Sequence, residues 1–156
     1  MAQDDKSEEE EARGNLRGLY SETVIDHFLN PRNLGRMDNY DGYAYVKSSC
    51  GDSMWLWLKV RYNSGSNDNV LQDVKFLCDV CVGAVSAGSM LTELIKGKTI
   101  REALTIGQDD ILRNLGGLPD EFIHCAGLAE DTFKAAIKDY AVYKDAPWKR
   151  MYEQKR

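Results

Sequence analysis

No uninterrupted apolar run in the sequence approaches the ~18 residues that a membrane-crossing helix requires, which sets membrane-spanning proteins aside. Proline is scarce, at three residues, and no stretch rich in Pro or Ser reads as a linker. No segment repeats, so the 156 residues are expected to form one domain with two tails, large enough to bury a core. An excess of basic residues is also missing. With 20 Lys and Arg against 25 Asp and Glu, the net charge of −5 excludes binding to nucleic acid through electrostatics. Most of that charge sits in "MAQDDKSEEEEAR", residues 1–13. Its six acids and two bases give −4 and leave −1 for the remainder. This leader has neither the apolar core of a secretory signal nor the basic, acid-poor character of a transit peptide. Its polarity predicts a disordered segment over 1–17. Four cysteines without a secretory signal then point to a reducing, cytoplasmic setting and to thiols kept for chemistry.

What is there follows two periods. In "LYSETVIDHFLNP" the apolar residues Leu19, Val24, Ile25, Phe28 and Leu29 fall at helical spacing, with Ser21 as N-cap and Pro31 as the stop. "YAYVKSSC" reads as a short strand running into Cys50. In "MWLWLKVRY" Met54, Leu56, Leu58, Val60 and Tyr62 alternate with Trp55, Trp57, Lys59 and Arg61, and "VLQDVKFL" returns as a third strand after the polar turn "NSGSNDN". From Cys81 the period changes. A helix runs to a stop at Gly97, Thr99 and Glu102 form a capping box for "IREAL", "DDILRNLGG" is a short helix, and "AEDTFKAAIKDYAVYK" a long last one. Strands followed by helices predict an α+β fold, a three-stranded antiparallel sheet with helices packed on one face. The domain is expected over 18–145, with a C-terminal tail over 146–156.

Three places carry metal-ligating side chains, and all lie at element junctions: Cys50 with Asp52, Cys78 with Cys81, and His124 with Cys125. Gly51 allows a turn that aims Asp52 at the same point as Cys50. Cys81 precedes its helix and Cys125 stands a few residues ahead of the last one. Amide groups at a helix start lower a nearby thiol's pKa and favour the thiolate. A thioredoxin-like reading of "CDVC" lacks the βαβ pattern, and a two-knuckle zinc site lacks a second Cys-x-x-Cys. A zinc ion held by Cys50, Asp52, Cys81 and Cys125 stays compatible with the residue types. "KGKT" lacks the upstream glycine of a phosphate loop, because position 92 is Thr. His27 reads as a surface or core-edge residue, and Trp55 with Trp57 as a packing or partner face. Tyr20 and "DAPWKRMYEQKR" are open between a partner contact and a surface anchor or frayed end.

"YSETVIDHFLNPRNLG", "CGDSMWLWLKV", "CVGAVSAGSMLTELIKGKT" and "HCAGLAEDTFKAAIKDY" occur in order and without large insertions. Over about residues 19–143 the chain resembles the IscU-type iron–sulfur scaffold, also found as the N-terminal part of NifU. The resemblance implies a scaffold, not an enzyme, that takes iron and persulfide sulfur from a cysteine desulfurase, builds a [2Fe–2S] cluster and hands it to apo-protein clients. It implies Cys50, Cys81 and Cys125 as ligands and persulfide acceptors, with Asp52 and His124 competing for the fourth position. Three soft thiolates and one harder ligand suit a cluster that must leave, and Asp52 is expected to promote release. Three features depart from the pattern. Cys78 is an extra thiol, open between a fourth thiolate, a resolving thiol for Cys81 and a small strand-end residue. "LPDEF", residues 118–122, keeps only Leu118 and Pro119 of the usual chaperone motif and reverses its charge, which puts an Hsp70-type partner in doubt. The acidic leader is the third. A homodimer is compatible with this reading. The rivals are a SufU-like zinc-dependent sulfur relay protein and a structural zinc or interaction domain. The 44 positions between Cys81 and Cys125 match the uninserted scaffold spacing and not the relay group's insertion.

Overall fold

The computed structural model describes residues 2–62 and 68–153, so most of the polar turn expected at 63–69 lies outside the described residues. The chain begins with helices α1 (Ala2–Leu16) and α2 (Glu22–Leu29), then forms strands β1 (Gly42–Lys47), β2 (Ser53–Arg61) and β3 (Val70–Cys78). Helices α3 (Val82–Ile95), α4 (Ile100–Ala103) and α5 (Gln108–Leu115) follow, and a 3₁₀ turn (Asp120–Phe122) leads into α6 (Ile123–Tyr143) and α7 (Trp148–Glu153). The sheet is antiparallel in the order β1-β2-β3, as the meander pattern predicts.

Alternation decides which face is covered. Met54, Leu56 and Leu58 of β2 are fully buried, and their partners Val46, Ala44, Phe76 and Val74 share that face. Each such side chain contributes about 1.5–3 kcal/mol by leaving water. Helices α3 and α6 cover this face. Helix α3 is buried almost all round from Gly83 to Thr92, which is why its sequence is so poor in charge. The opposite face carries an aromatic ladder, with Tyr45 beside Trp55 at 5.0 Å and Tyr43 beside Trp57 at 5.6 Å between ring centroids. The alternation ends sooner than the sequence suggests. A register shift between Lys59 and Val60 and the strand end at Arg61 leave Tyr62 exposed.

The leader expected to be disordered is helical as α1. It has no apolar face to bury, but Glu, Ala, Gln and Arg are good helix formers, and Arg13 pairs with Glu9 one turn earlier at 3.2 Å. Its ties to the body are ionic: Arg13 to Asp26 at 3.9 Å, and Arg17, just past the helix, to Glu22 at 3.3 Å. The C-terminal segment is no frayed end either. The guanidinium of Arg150 in α7 donates to Asp139 Oδ2 at 2.6 Å and to the Asp41 carbonyl at 3.0 Å, and lies over the rings of Tyr143 and Tyr40.

Candidate metal centre

The turn after β1 sets the first ligand. Ser48 N–H donates to the Asp52 carbonyl at 2.7 Å and Gly51 N–H to the Ser48 carbonyl at 3.0 Å, closing a loop in which Gly51 has φ 94°. That left-handed value is open to glycine at little cost. The loop puts Cys50 on its outer side, exposed, and turns Asp52 inward. The next residue is clamped: Ser53 N–H donates to Asp79 Oδ2 at 2.9 Å, and Asp79 N–H donates to the Ser53 carbonyl at 3.2 Å. Asp79, which belongs to no recognisable motif, therefore ties the Asp52 loop to the "CDVC" segment.

Cys81 is the N-cap of α3 and makes no capping bond through its side chain. Its thiol is left to face the site. Cys125 lies in the first turn of α6, because that helix starts at Ile123 and not near Ala129 as its apolar stripe suggests. There the thiol is buried against α3 at Gly83, where an added Cβ would stand only 2.9 Å from Cys125 Sγ. The same added Cβ would stand 2.8 Å from Phe122 Cβ, so Gly83 and Phe122 are positioning residues that no sequence signal marked beyond the glycine itself.

Ligand atoms of Asp52, Cys81 and Cys125 lie within 4.8 Å of one another. His124 Nε2 stands 3.3 Å from Asp52 Oδ2 and 3.7 Å from Cys125 Sγ, so the imidazole borders the same point. The structure thus brings together Asp52, Cys81, Cys125 and His124. Cys50 is two positions from Asp52 but outside the group. Cys78, at the end of β3, is also outside it and half-buried.

Electrostatics correct one expectation. Burial pushes the Cys125 thiol up to about 12, with the neighbouring Cys81 and Asp52 adding to the rise. The helix start does not make it a thiolate, because it sits inside the first turn, away from water and beside acidic groups. Burial likewise raises Cys78 to about 12, with Cys81, Asp79 and Asp52 contributing. A carboxylate beside two thiols favours a cation among them, and a coordinated thiol gives up its proton. Two thiols, a carboxylate and an imidazole fit a soft or borderline metal such as iron or zinc. Tyr20 stands at the edge, its ring 6.1 Å from Phe122, and its phenol is raised by burial and by Cys81 and Glu121. His27 is no ligand of this site. It is 4% exposed and bonded to Ser89, a core-edge residue.

A small α+β domain with thiol, carboxylate and imidazole groups gathered at one end of its sheet has the make-up of a metal-binding domain. The chain belongs to the family described as the NifU-like N terminal domain, which matches residues 19–146. It is 45% identical over 123 residues to the iron-sulfur cluster assembly scaffold protein IscU 1 of Archaeoglobus fulgidus, covering 78% of this chain and 76% of that protein. With the IscU scaffold protein of Escherichia coli it shares 43% identity over 131 residues, 81% of this chain and 98% of that one. A NifU-like N-terminal structure from Brucella abortus superposes with TM-score 0.56 at 17% identity, covering 78% and 93% of the two chains, and shares the fold. Among the described residues no helix is long and apolar enough to cross a membrane.

Proposed function

We propose that this chain is a scaffold on which a [2Fe–2S] cluster is assembled from iron and persulfide sulfur and then passed to apo-proteins. The observation that carries the reading is the convergence of Asp52, Cys81 and Cys125 within 4.8 Å, with His124 at its border, in a member of this family. The cluster is cargo. Cys81 and Cys125 hold it by sulfur, and Cys50 joins them when the 49–51 turn rotates its exposed thiol inward. Asp52 and His124 supply the harder, more easily exchanged fourth ligand. Their 3.3 Å contact lets each partner the other when no metal is held. Sulfur arrives from a cysteine desulfurase by thiol exchange, in which a thiolate takes the outer sulfur of the donor's persulfide. The exposed Cys50 is the accessible first acceptor, and the buried Cys125 is reached from within the site.

The test is anaerobic reconstitution with ferrous iron, cysteine and a cysteine desulfurase, followed by visible absorption and addition of apo-ferredoxin. The scaffold reading expects a sulfide-to-iron chromophore that forms on this chain and moves to the ferredoxin. A chain that forms no chromophore and retains zinc would instead be a zinc-dependent sulfur relay.

A further inference from the structure

We propose that Cys78 is a resolving thiol, which cleaves a persulfide carried by Cys81 and releases its outer sulfur as sulfide. The proposal rests on the reading of the site as a sulfur acceptor and deepens it. It supplies the two electrons by which persulfide sulfur becomes the sulfide that a cluster contains.

The placement of the two thiols carries the argument. Cys78 closes β3 opposite Met54, a fully buried residue, and so lies on the helix-covered side of the sheet. Cys81 caps α3. The chain between them bends at Val80, whose side chain is 90% exposed, while the thiols on either side both pack against the core. Three positions would separate them by at most about 10 Å in an extended chain, and the bend shortens this toward the ~4.4–6.8 Å between Cα atoms that a disulfide needs. Cys78 nevertheless stands outside the group formed by Asp52, Cys81 and Cys125. Unlike Cys50, which sits exposed on a turn, Cys78 is half-buried at the end of β3, and Cys50, Cys81 and Cys125 with Asp52 or His124 already complete a set of four ligands. Cys78 remains available for sulfur chemistry on its neighbour. Asp79, clamped to Ser53 in both directions, holds the segment that presents it.

The step balances within the chain. The outer sulfur of the Cys81 persulfide anion takes the Cys78 proton, and the Cys78 thiolate formed beside it attacks Cys81 Sγ, forming the Cys78–Cys81 bond. The bond between Cys81 Sγ and its outer sulfur breaks, and the electron pair leaves with that sulfur. The Cys78 proton goes with it, so the product is hydrosulfide. The two cysteines are oxidised to a disulfide as the outer sulfur is reduced. A dithiol reductant of the thioredoxin class then restores both thiols for another round.

The experiment uses the full chain, loaded with sulfur by a cysteine desulfurase and cysteine. It is then separated from both under anaerobic conditions without iron or added thiol. Released sulfide is measured, and persulfides and disulfides are mapped by mass spectrometry. Wild-type protein is expected to release one sulfide for each Cys78–Cys81 disulfide formed. Cys78→Ser is expected to release at least about tenfold less and to keep its persulfide. Cys78→Ala, which places no hydroxyl at the half-buried strand end, must behave as Cys78→Ser does. Sulfide release by either variant at the wild-type rate overturns the resolving role, as does a disulfide that joins another pair. In those cases sulfur acceptance itself still stands. If no cysteine of any chain takes up sulfur, the acceptor reading falls, and the resolving role falls with it.

Discussion

Gly83 governs how close Cys125 comes to Cys81. A methyl group there would meet Cys125 Sγ at 2.9 Å and Phe122 Cβ at 2.8 Å, too near for either to stay. Gly83→Ala is therefore expected to push Cys125 off the cluster and weaken cobalt(II) binding by about tenfold or more, with an overpacking cost of about 1–3 kcal/mol. Cobalt titration followed through the thiolate charge-transfer band, beside urea denaturation, separates the two effects, and unchanged cobalt affinity would sink the idea. Asp52 provides the complementary test. Asp52→Ala leaves sulfur and imidazole ligands, so the reconstituted cluster should pass to apo-ferredoxin more slowly, and equal or faster transfer would remove Asp52 from the release step. His27 concerns stability. Its Nδ1 is 2.7 Å from Ser89 Oγ and its Nε2 3.3 Å from Glu93 Oε2, a pattern that suits the neutral ring with the proton on Nε2. Burial holds its pKa below the ordinary value, with Arg32 adding to the effect against Glu93 and Asp26. The unfolded chain then binds the proton more tightly, so the contribution is complete above about pH 6.5 and is lost as pH falls below it. Denaturation from about pH 7 to pH 5 should show a decline that His27→Gln flattens, and parallel curves would contradict this.

At the level of elements, α6 anchors the C-terminal segment. Asp139 on α6 receives both Arg150 and the Tyr43 amide, so a single carboxylate ties α7 and β1 to one helix. The Arg150 side chain is 13% exposed, which spares the pair most solvent screening. Arg150→Ala should lower stability by about 1–2 kcal/mol in urea melts, through lost charge-assisted bonds and ring stacking. A midpoint equal to wild type would mean that α7 is only laid on the surface. The strands were legible because burial on one face writes a clear period into the residues, and α3 because burial all round leaves a long charge-poor run closed at Gly97. Ser21 and Thr99 were legible as caps, and both accept the expected amide, from Val24 and Glu102. The start of α6 was not. Phe122 stands at its N-cap without a side-chain bond, Gly127 interrupts the helical signal, and the apolar stripe is plain only from Ala129. The candidate ligands could be named from their residue types at element junctions and from the family resemblance, but not which would meet. That Asp52 turns in while Cys50 turns out depends on backbone bonds within 48–52, and the clamp by Asp79 and the gap at Gly83 belong to no motif.

The whole molecule is an ordered body with a charged helix leaned against it. The tie that a deletion of residues 1–16 would remove, Arg13 to Asp26 at 3.9 Å, is a partly exposed ion pair of small worth, so the deletion should shift stability by less than about 1 kcal/mol. A larger loss in denaturant melts would show that α1 supports α2 beyond its ion pairs. The outer edge of β3 is largely occupied by other backbone. Along β3, Phe76 exchanges bonds with the 33–35 segment, donating to the Asn33 carbonyl at 3.0 Å and accepting from Gly35 at 2.9 Å. Further on, Leu71 donates to Lys98 at 2.9 Å and accepts from Gly97 at 2.8 Å. On β1 the Tyr43 amide is taken by Asp139. A visiting polypeptide consequently finds the outward amides of Leu71 and Phe76 on β3, and of Tyr43 on β1, already taken, and the β3 rim is a poor template for the strand-by-strand zippering that many small β-proteins use to capture peptides or, by accident, one another.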